Sequence, residues 1–486
     1  MSQFPSLPRG IPNSASARSF VSDLLTPVVK VGVTGLARSG KTVFITALVN
    51  CLCAGGALPA FSRLRGIGGF HAYLEPQPDD DIPRFAIESH LEDLINAPPN
   101  WPDSTRQISQ LRLTFEWNTP LSAERLLRFD FAQRLHVDII DYPGEWLTDL
   151  ALLDKDFSAW SRDVLGVVRA EPMETANGPF LKFLDGLDGI ATIDEDTAIE
   201  GARIYTQFLV DARKRSRAGN VLGPGRFLMP GDLAGTPQLT FFPFVSKTAT
   251  GSAGPSLLER RFESYKSNLV KPFFEKHFAK LDRQIVLVDA LSALNGGALA
   301  LSELEHGLEN VLRAFRPGQN SWLSRLLTRK IGKIVFAATK ADHVHASSRK
   351  RLEDILKKCI SRAAARCEGA GAETVVLALS ALRATRDVEK TIDGEVFRCI
   401  RGIADQGEVM SRQTFDGLKE VVVFPGDLPV DPLDAFERDW AKASNFNFVK
   451  FKPPHLASSE DIATLKAWPH INLDSAFSFL LGDYLP

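Results

Sequence analysis

Cysteine is scarce: five residues, Cys51, Cys53, Cys359, Cys367 and Cys399, are scattered through 486. An odd, dispersed set excludes a disulfide framework. Cys51 and Cys53 form a C-x-C at the end of an apolar helical stretch, with no His or Cys pair following at zinc-finger spacing, so they read as core thiols. Net charge is nearly absent, 57 Lys and Arg against 59 Asp and Glu, so no global field draws in nucleic acid or an anionic membrane. No uninterrupted apolar run reaches the ~18 residues of a membrane helix. The opening MSQFPSLPRGIPNSASARSF has no apolar stretch for export. The expectation is a cytoplasmic protein without a transmembrane segment or a specific nucleic-acid partner, and the length suggests two or three domains.

What is present is a series of short β-branched runs that read as buried strands: VVKVGVTG (28–35), QLRLTFEW (110–117), LHVDIID (135–141), QIVLVDAL (284–291), KIVFAATK (333–340) and TVVLALS (374–380). Helical patterns separate most of them. One carries Leu301, Leu304, Leu308, Val311, Leu312 and Phe315 at three- and four-residue steps. Another begins near Ser347 and Ser348, plausible caps, and aligns Leu352, Ile355, Leu356, Cys359, Ile360 and Ala363. Strands alternating with such helices imply an α/β fold, a mostly parallel sheet with helices on both faces.

The expected organisation is an N-terminal arm (1–27), a core (28–145 and 284–386) with a switch-like insertion at 54–109, a helical insertion (146–283), a β-containing region (387–470) and a C-terminal helix on the core (471–486). Residues 257–281 read as one helix with Leu258, Phe262, Tyr265, Leu269, Phe273 and His277 in register, kinked by Pro272.

Directly after the first strand comes Gly35-Leu36-Ala37-Arg38-Ser39-Gly40-Lys41-Thr42, then the apolar helix VFITALVNCL. This matches G-x-x-x-x-G-K-[ST] between a strand and a helix, a phosphate-binding loop. Its backbone N–H groups, from Gly35, Ala37, Arg38, Ser39 and Gly40 through Lys41, Thr42 and Val43, suit phosphate oxygens at a helix N-terminus. Lys41 supplies charge to the β- and γ-phosphates and Thr42 a hydroxyl to Mg²⁺.

A second element is the strand HVDIID ending on Asp141 and continuing Tyr142-Pro143-Gly144-Glu145, a D-x-x-G. Asp141 can hold Mg²⁺ through water, and the Gly144 N–H can sense a γ-phosphate. Asp141 lies 99 residues beyond Thr42, which requires an insertion between them. The third element, Thr339-Lys340-Ala341-Asp342, ends the fifth run. The Asp342 carboxylate can accept from both N1–H and the N2 amino group of guanine, an arrangement adenine does not offer. The Lys340 stem would lie over the base, and Thr339 keeps a hydroxyl for bracing the loop. Ser380-Ala381-Leu382 ends the last strand, similar to an S-A-K element with Leu in place of Lys.

The order P-loop, D-x-P-G, T-K-x-D, S-A looks like a translation-factor or Ras-type GTPase domain. More closely, GLARSGKTVFITALVN, DIIDYPGEWL, LVKPFFEKHFAKLDRQIVLVD, ATKADHV and INLDSAFSFLLGDYL resemble the YcjX-like bacterial P-loop proteins. The resemblance implies a GTPase with GTP and GDP as ligands, associated with a phage-shock type of envelope-stress response. It also implies a membrane protein of the same operon as partner and peripheral placement at the inner membrane.

Several roles stay open at this level. Glu145 replaces the glutamine that commonly orients water. It reads either as a catalytic carboxylate or as a helix-starting acid. As a carboxylate it needs a cation nearby; Arg38, Arg63, Arg65 and Arg106 are candidates. Thr105, with Ser104 adjacent, is the candidate switch threonine that closes over Mg²⁺. Trp146 reads as a packing anchor, and His343 with His345 as loop histidines rather than a metal pair. Beside the GTPase reading stand a P-loop ATPase and a non-hydrolysing nucleotide sensor that docks to a partner.

Overall fold

The computed structural model describes residues 26–36, 38–53, 70–103, 107–118, 132–170, 178–187, 192–215, 223–245, 256–313, 331–410, 413–437, 440, 448–456 and 468–485. Seven strands form the central sheet: β1 (Val28–Gly35), β2 (His71–Glu75), β3 (Ser109–Asn118), β4 (Ala132–Asp141), β5 (Arg283–Val288), β6 (Lys333–Ala338) and β7 (Glu373–Ala378). Their spatial order is β2-β3-β4-β1-β5-β6-β7. From β4 through β7 every pairing is parallel. β3 runs antiparallel to β4, and β2 antiparallel to β3. The mostly parallel α/β expectation holds, with an antiparallel edge.

Alternation along each strand sets the layers, because successive side chains point to opposite faces. Ile285, Leu287, Val335 and Ala337 face one core, and Val286, Val288, Ile334 and Phe336 the other. The first face is covered by α1 (Lys41–Cys53) and α2 (Ile87–Ile95). A helix near the C-terminus, Leu473–Leu481, joins the same core through Leu473, Ala476, Phe477, Leu480 and Leu481. Cys51 and Cys53 are buried there. Three further helices, Ala290–Asn295, Ala298–Arg313 and Arg349–Gly369, cover the second face.

The fourth expected strand ends earlier than its apolar run suggests. Asp289 caps the helix Ala290–Asn295, accepting from Ser292 N at 3.1 Å, and so turns the chain two residues before the run ends. At Arg349–Gly369, Ser348 is the cap residue by position but makes no side-chain cap bond. The His345 side chain instead accepts from Ser347 N at the preceding turn.

Between β4 and β5 the chain builds a helical layer: α3 (Phe157–Ala170), α4 (Gly178–Asp185), α5 (Glu195–Arg215), the one-turn helix Gly225–Leu228, and α6 (Leu257–Tyr265). Aromatic rings fill its core. Trp160 meets Phe157, Tyr205, Phe241 and Phe262 at centroid distances of 5.8, 6.2, 5.5 and 5.0 Å. The expected helix over 257–281 runs without a break in helical dihedrals to Lys276 but changes pitch on the way, and a 3₁₀ turn, Phe278–Lys280, follows. A π-helical turn, Lys266–Val270, follows α6, and Pro272 then sits in the first turn of Lys271–Lys276. The turn of wider pitch takes up the irregularity that the proline ring and its missing N–H impose on a continuing helix.

Beyond β7, strands β8 (Arg386–Ile392), β9 (Glu395–Ile403) and β12 (Glu420–Val423) form a small antiparallel sheet in the order β12-β9-β8. Between β9 and β12 a two-stranded pair, β10 (Val409–Met410) and β11 (Gln413–Thr414), is also antiparallel. Among the described residues near the end of this region, Phe451 forms a bridge with Ala404. Asp387 of β8 is gripped by the Arg349 guanidinium at 2.7 and 2.9 Å, which fixes the small sheet to the helix behind the T-K-A-D loop.

Candidate functional site

The loop between β1 and α1 is folded tightly. Ser39 N donates to Leu36 O at 3.1 Å and Phe44 N to Gly40 O at 2.9 Å, so α1 begins at Lys41 with its first N–H groups facing the loop. Arg38 has φ of 64° and Gly40 of 87°. A left-handed arginine is an uncommon conformation, and it leaves the Arg38 side chain exposed at the rim. Lys41 curls back so that its Nζ donates to Gly35 O at 3.1 Å.

The D-x-P-G turn lies against the same carbonyl. A Cβ on Gly144 would stand 2.7 Å from Gly35 O and 3.2 Å from Leu36 N. Only glycine permits this approach. Asp141 ends β4 in register with Val33 and is 1% exposed. The Thr42 hydroxyl donates to Asp103 O at 3.4 Å. That hydroxyl and the Asp141 carboxylate are hard oxygen donors on neighbouring elements, a set that suits Mg²⁺. The Ser39 Oγ is buried with no hydrogen-bond partner among the described residues, as expected of a hydroxyl placed for a phosphate oxygen.

At the ends of β6 and β7 the second half of the site is assembled. Thr339 donates to Val288 O through both N (2.9 Å) and Oγ1 (3.2 Å), joining the loop to β5. Lys340 is left-handed, with φ of 60°, and its ammonium pairs with Asp289. That pairing holds the Asp289 carboxyl below its ordinary value against the opposing effect of burial. Asp342 is 2% exposed, and its Oδ2 accepts from Ala384 N at 2.8 Å and Thr385 N at 3.3 Å. The carboxylate is thereby locked in orientation. Ser380 bridges to Ile471 and donates from Oγ to Leu382 O at 3.1 Å.

These elements border one cavity of about 300 Å³. Arg38, Ser39, Gly40, Lys41, Thr42 and Val43 line one end. Thr339, Lys340 and Asp342, with Ser380, Ala381 and Leu382, line the other. Glu145, 2% exposed, borders the first end. Gly35, Asp141 and Gly144 are not among the residues that line the cavity. Ala37, Thr105, Arg63, Arg65 and Arg106 lie outside the described residues. The cavity also has walls that no motif announces: Trp101, Pro102 and Asp103 before β3, Met229 from the helical layer, and Asp405, Lys450 and Phe451 from the C-terminal region.

Glu145 plays two structural parts at once. It opens the 3₁₀ helix Gly144–Leu152, and it carries the contact with the helical layer. A Cβ on Gly225 would fall 2.0 Å from Glu145 O. Beside it the Arg226 guanidinium lies 3.8 Å from the Trp146 ring centroid, a buried cation–π contact. Trp146 is thus the anchor its composition suggests, 5% exposed.

Asp149, one turn on, accepts from Gly225 N at 2.6 Å and from the Tyr265 hydroxyl at 2.7 Å. Burial pushes its carboxyl up to about 6. The folded chain therefore binds this proton more tightly than the unfolded chain, so the contribution is greatest below pH 3.8 and is lost as pH rises through about 6. Relative to Asp149→Asn, wild type should lose about 3 kcal/mol of unfolding free energy across that window. Urea denaturation of both proteins at a series of pH values checks this; a flat difference would mean an unperturbed carboxyl.

The sheet order, the loop after β1 and the elements at the ends of β6 and β7 define a Ras-like P-loop fold. The family model described as "YcjX-like family, DUF463" matches residues 29–485, and the chain belongs to that family. It is similar to the "Ras-like GTPase YcjX" of Escherichia coli K12, 35% identical over 471 residues that cover 94% of this chain and 96% of the relative. The protein of the same name from Shewanella oneidensis MR-1 is 33% identical over 485 residues, 94% of each chain. Among the described residues no helix is long and apolar enough to cross a membrane.

Proposed function

We propose that this protein is a Mg²⁺-dependent GTP hydrolase working as a molecular switch, with residues 28–145 and 284–386 as its nucleotide-binding core. The observation that carries the reading is the convergence of the P-loop, T-K-A-D and S-A-L elements on one cavity. Lys41 would neutralise the β- and γ-phosphates, Thr42 and Asp141 would hold Mg²⁺, Gly144 would meet the γ-phosphate, and Asp342 would select guanine. Bound Mg²⁺ supplies charge neutralisation at the transferring phosphoryl group. The names of the relatives support hydrolysis of GTP. A role in bacterial envelope stress, with a membrane protein as partner, is inferred from the family resemblance.

Hydrolysis of GTP, ATP, CTP and UTP by the purified chain, with and without Mg²⁺, tests the reading. GTP should be preferred and Mg²⁺ required; a preference for ATP would overturn it. Because a carboxylate stands where an amide commonly orients water, intrinsic turnover should fall below about 1 s⁻¹. Glu145→Ala should slow it at least about tenfold further if Glu145 positions or deprotonates the water. Turnover of tens per second, unchanged in Glu145→Ala, would assign Glu145 to packing alone.

A further inference from the structure

The wall formed by the C-terminal region is held in place as firmly as the motifs. Asp405 N donates to Lys450 O at 2.8 Å, Lys452 N donates to Ile403 O at 2.8 Å, and Ala404 and Phe451 form a bridge. Trp101 Nε1 donates to Phe451 O at 2.7 Å, and the Phe451 ring meets His343 edge-on at 5.2 Å. The backbone that presents Asp405 to the cavity is therefore fixed from both sides.

Of the two charged side chains on this wall, Lys450 is already engaged, reaching Glu408 at 3.5 Å. Asp405 is not. Asp405 lines the cavity and is partly buried, and its carboxylate takes no hydrogen bond from any described residue. His343 beside it does not act as a counter-ion, since burial lowers its pKa and keeps the ring neutral. A partly buried carboxylate facing a cavity without a donor calls for a donor on the ligand.

A guanine nucleotide offers few donors: N1–H, the N2 amino group and the two ribose hydroxyls. If Asp342 takes the first two, as the proposed function has it, only the hydroxyls remain. Two vicinal hydroxyls match the two oxygens of one carboxylate, the chemistry by which an acidic side chain reads ribose in dinucleotide sites. We propose that Asp405 accepts hydrogen bonds from the ribose 2′- and 3′-hydroxyls of the bound nucleotide, so that the C-terminal region supplies a residue selecting ribonucleotides over deoxyribonucleotides. The assignment rests on the guanine-nucleotide reading of the cavity.

Equilibrium binding of GDP, 2′-deoxy-GDP, 3′-deoxy-GDP and ADP to the full chain, wild type and Asp405→Ala, tests it. Wild type should bind GDP about tenfold or more tightly than either deoxy analogue, the range of a charge-assisted hydrogen bond. In Asp405→Ala, GDP and both analogues should bind alike, because GDP loses two contacts and each analogue the one made by its remaining hydroxyl. In Asp405→Asn, which keeps the shape and one acceptor oxygen, the preference should fall part of the way. Equal binding of GDP and its deoxy analogues by wild type, or a preference that persists in Asp405→Ala, overturns the proposal. So does a variant that weakens all guanine ligands alike, because a purely structural role predicts that result. ADP bound as tightly as GDP, with an Asp405-dependent ribose preference intact, overturns the guanine reading and leaves the ribose assignment standing.

Discussion

Lys41→Ala should reduce GTP hydrolysis by at least about two orders of magnitude while the fold persists. The side chain brings the positive charge proposed for the phosphates, and among the described residues its Nζ donates only to Gly35 O. Removing one preorganised electrostatic contact from a developing transition-state charge typically costs about a hundredfold to a thousandfold. The buried strands that carry the loop are untouched, so the far-ultraviolet circular dichroism and the unfolding midpoint should stay close to wild type. Thr42→Ala should give a comparable loss by removing the hydroxyl assigned to Mg²⁺, with an increased Mg²⁺ concentration needed for half-maximal rate. Phosphate release measured across a Mg²⁺ titration checks both variants. Wild-type turnover in either, with the fold intact, would remove the loop from the chemistry.

Asp342→Asn should reorder nucleotide preference. The carboxylate is held by Ala384 N and Thr385 N through one oxygen, so it presents a fixed acceptor edge to the cavity. Guanine meets such an edge with two donors. Xanthine carries a carbonyl where guanine has its amino group, so an amide in place of the carboxylate pairs with xanthine and leaves the guanine amino group unpaired. Losing that buried contact should cost about 3–6 kcal/mol, a hundredfold or more in affinity for GTP. XTP should gain relative to GTP by a similar factor. Competition binding of GTP, ATP and XTP to wild type and variant decides the matter, and an unchanged ranking of the three would remove Asp342 from base recognition.

The parts of the molecule legible in the sequence are those written in short-range pattern. Five strands of the parallel sheet follow from short β-branched runs, and the P-loop follows from eight consecutive residues between a strand and a helix. The edge strand His71–Glu75 escapes because it has five residues, with His71 exposed at its start. The antiparallel course of β3 escapes as well, since a run of apolar residues has no direction. The third wall of the cavity is invisible for another reason. Trp101 and Phe451 are 350 positions apart, and nothing local to either records their hydrogen bond. Arg226 hides similarly: a lone arginine after a glycine reads as surface, and only the folded chain lays it on Trp146.

Trp146, Leu147 and Leu150, the residues that follow the D-x-P-G turn, belong to the aromatic core of the helical layer. If the proposed switch acts at this turn, the turn would serve as a fulcrum with the helical layer as its arm. The 21 residues of Glu195–Arg215 span about 32 Å at the rise of an α-helix. A rotation of about 5° at the turn would sweep the end of such an arm through about 3 Å. A displacement of that size repacks an interface, so a single hydrogen bond gained or lost at Gly144 could be read at a surface far from the cavity.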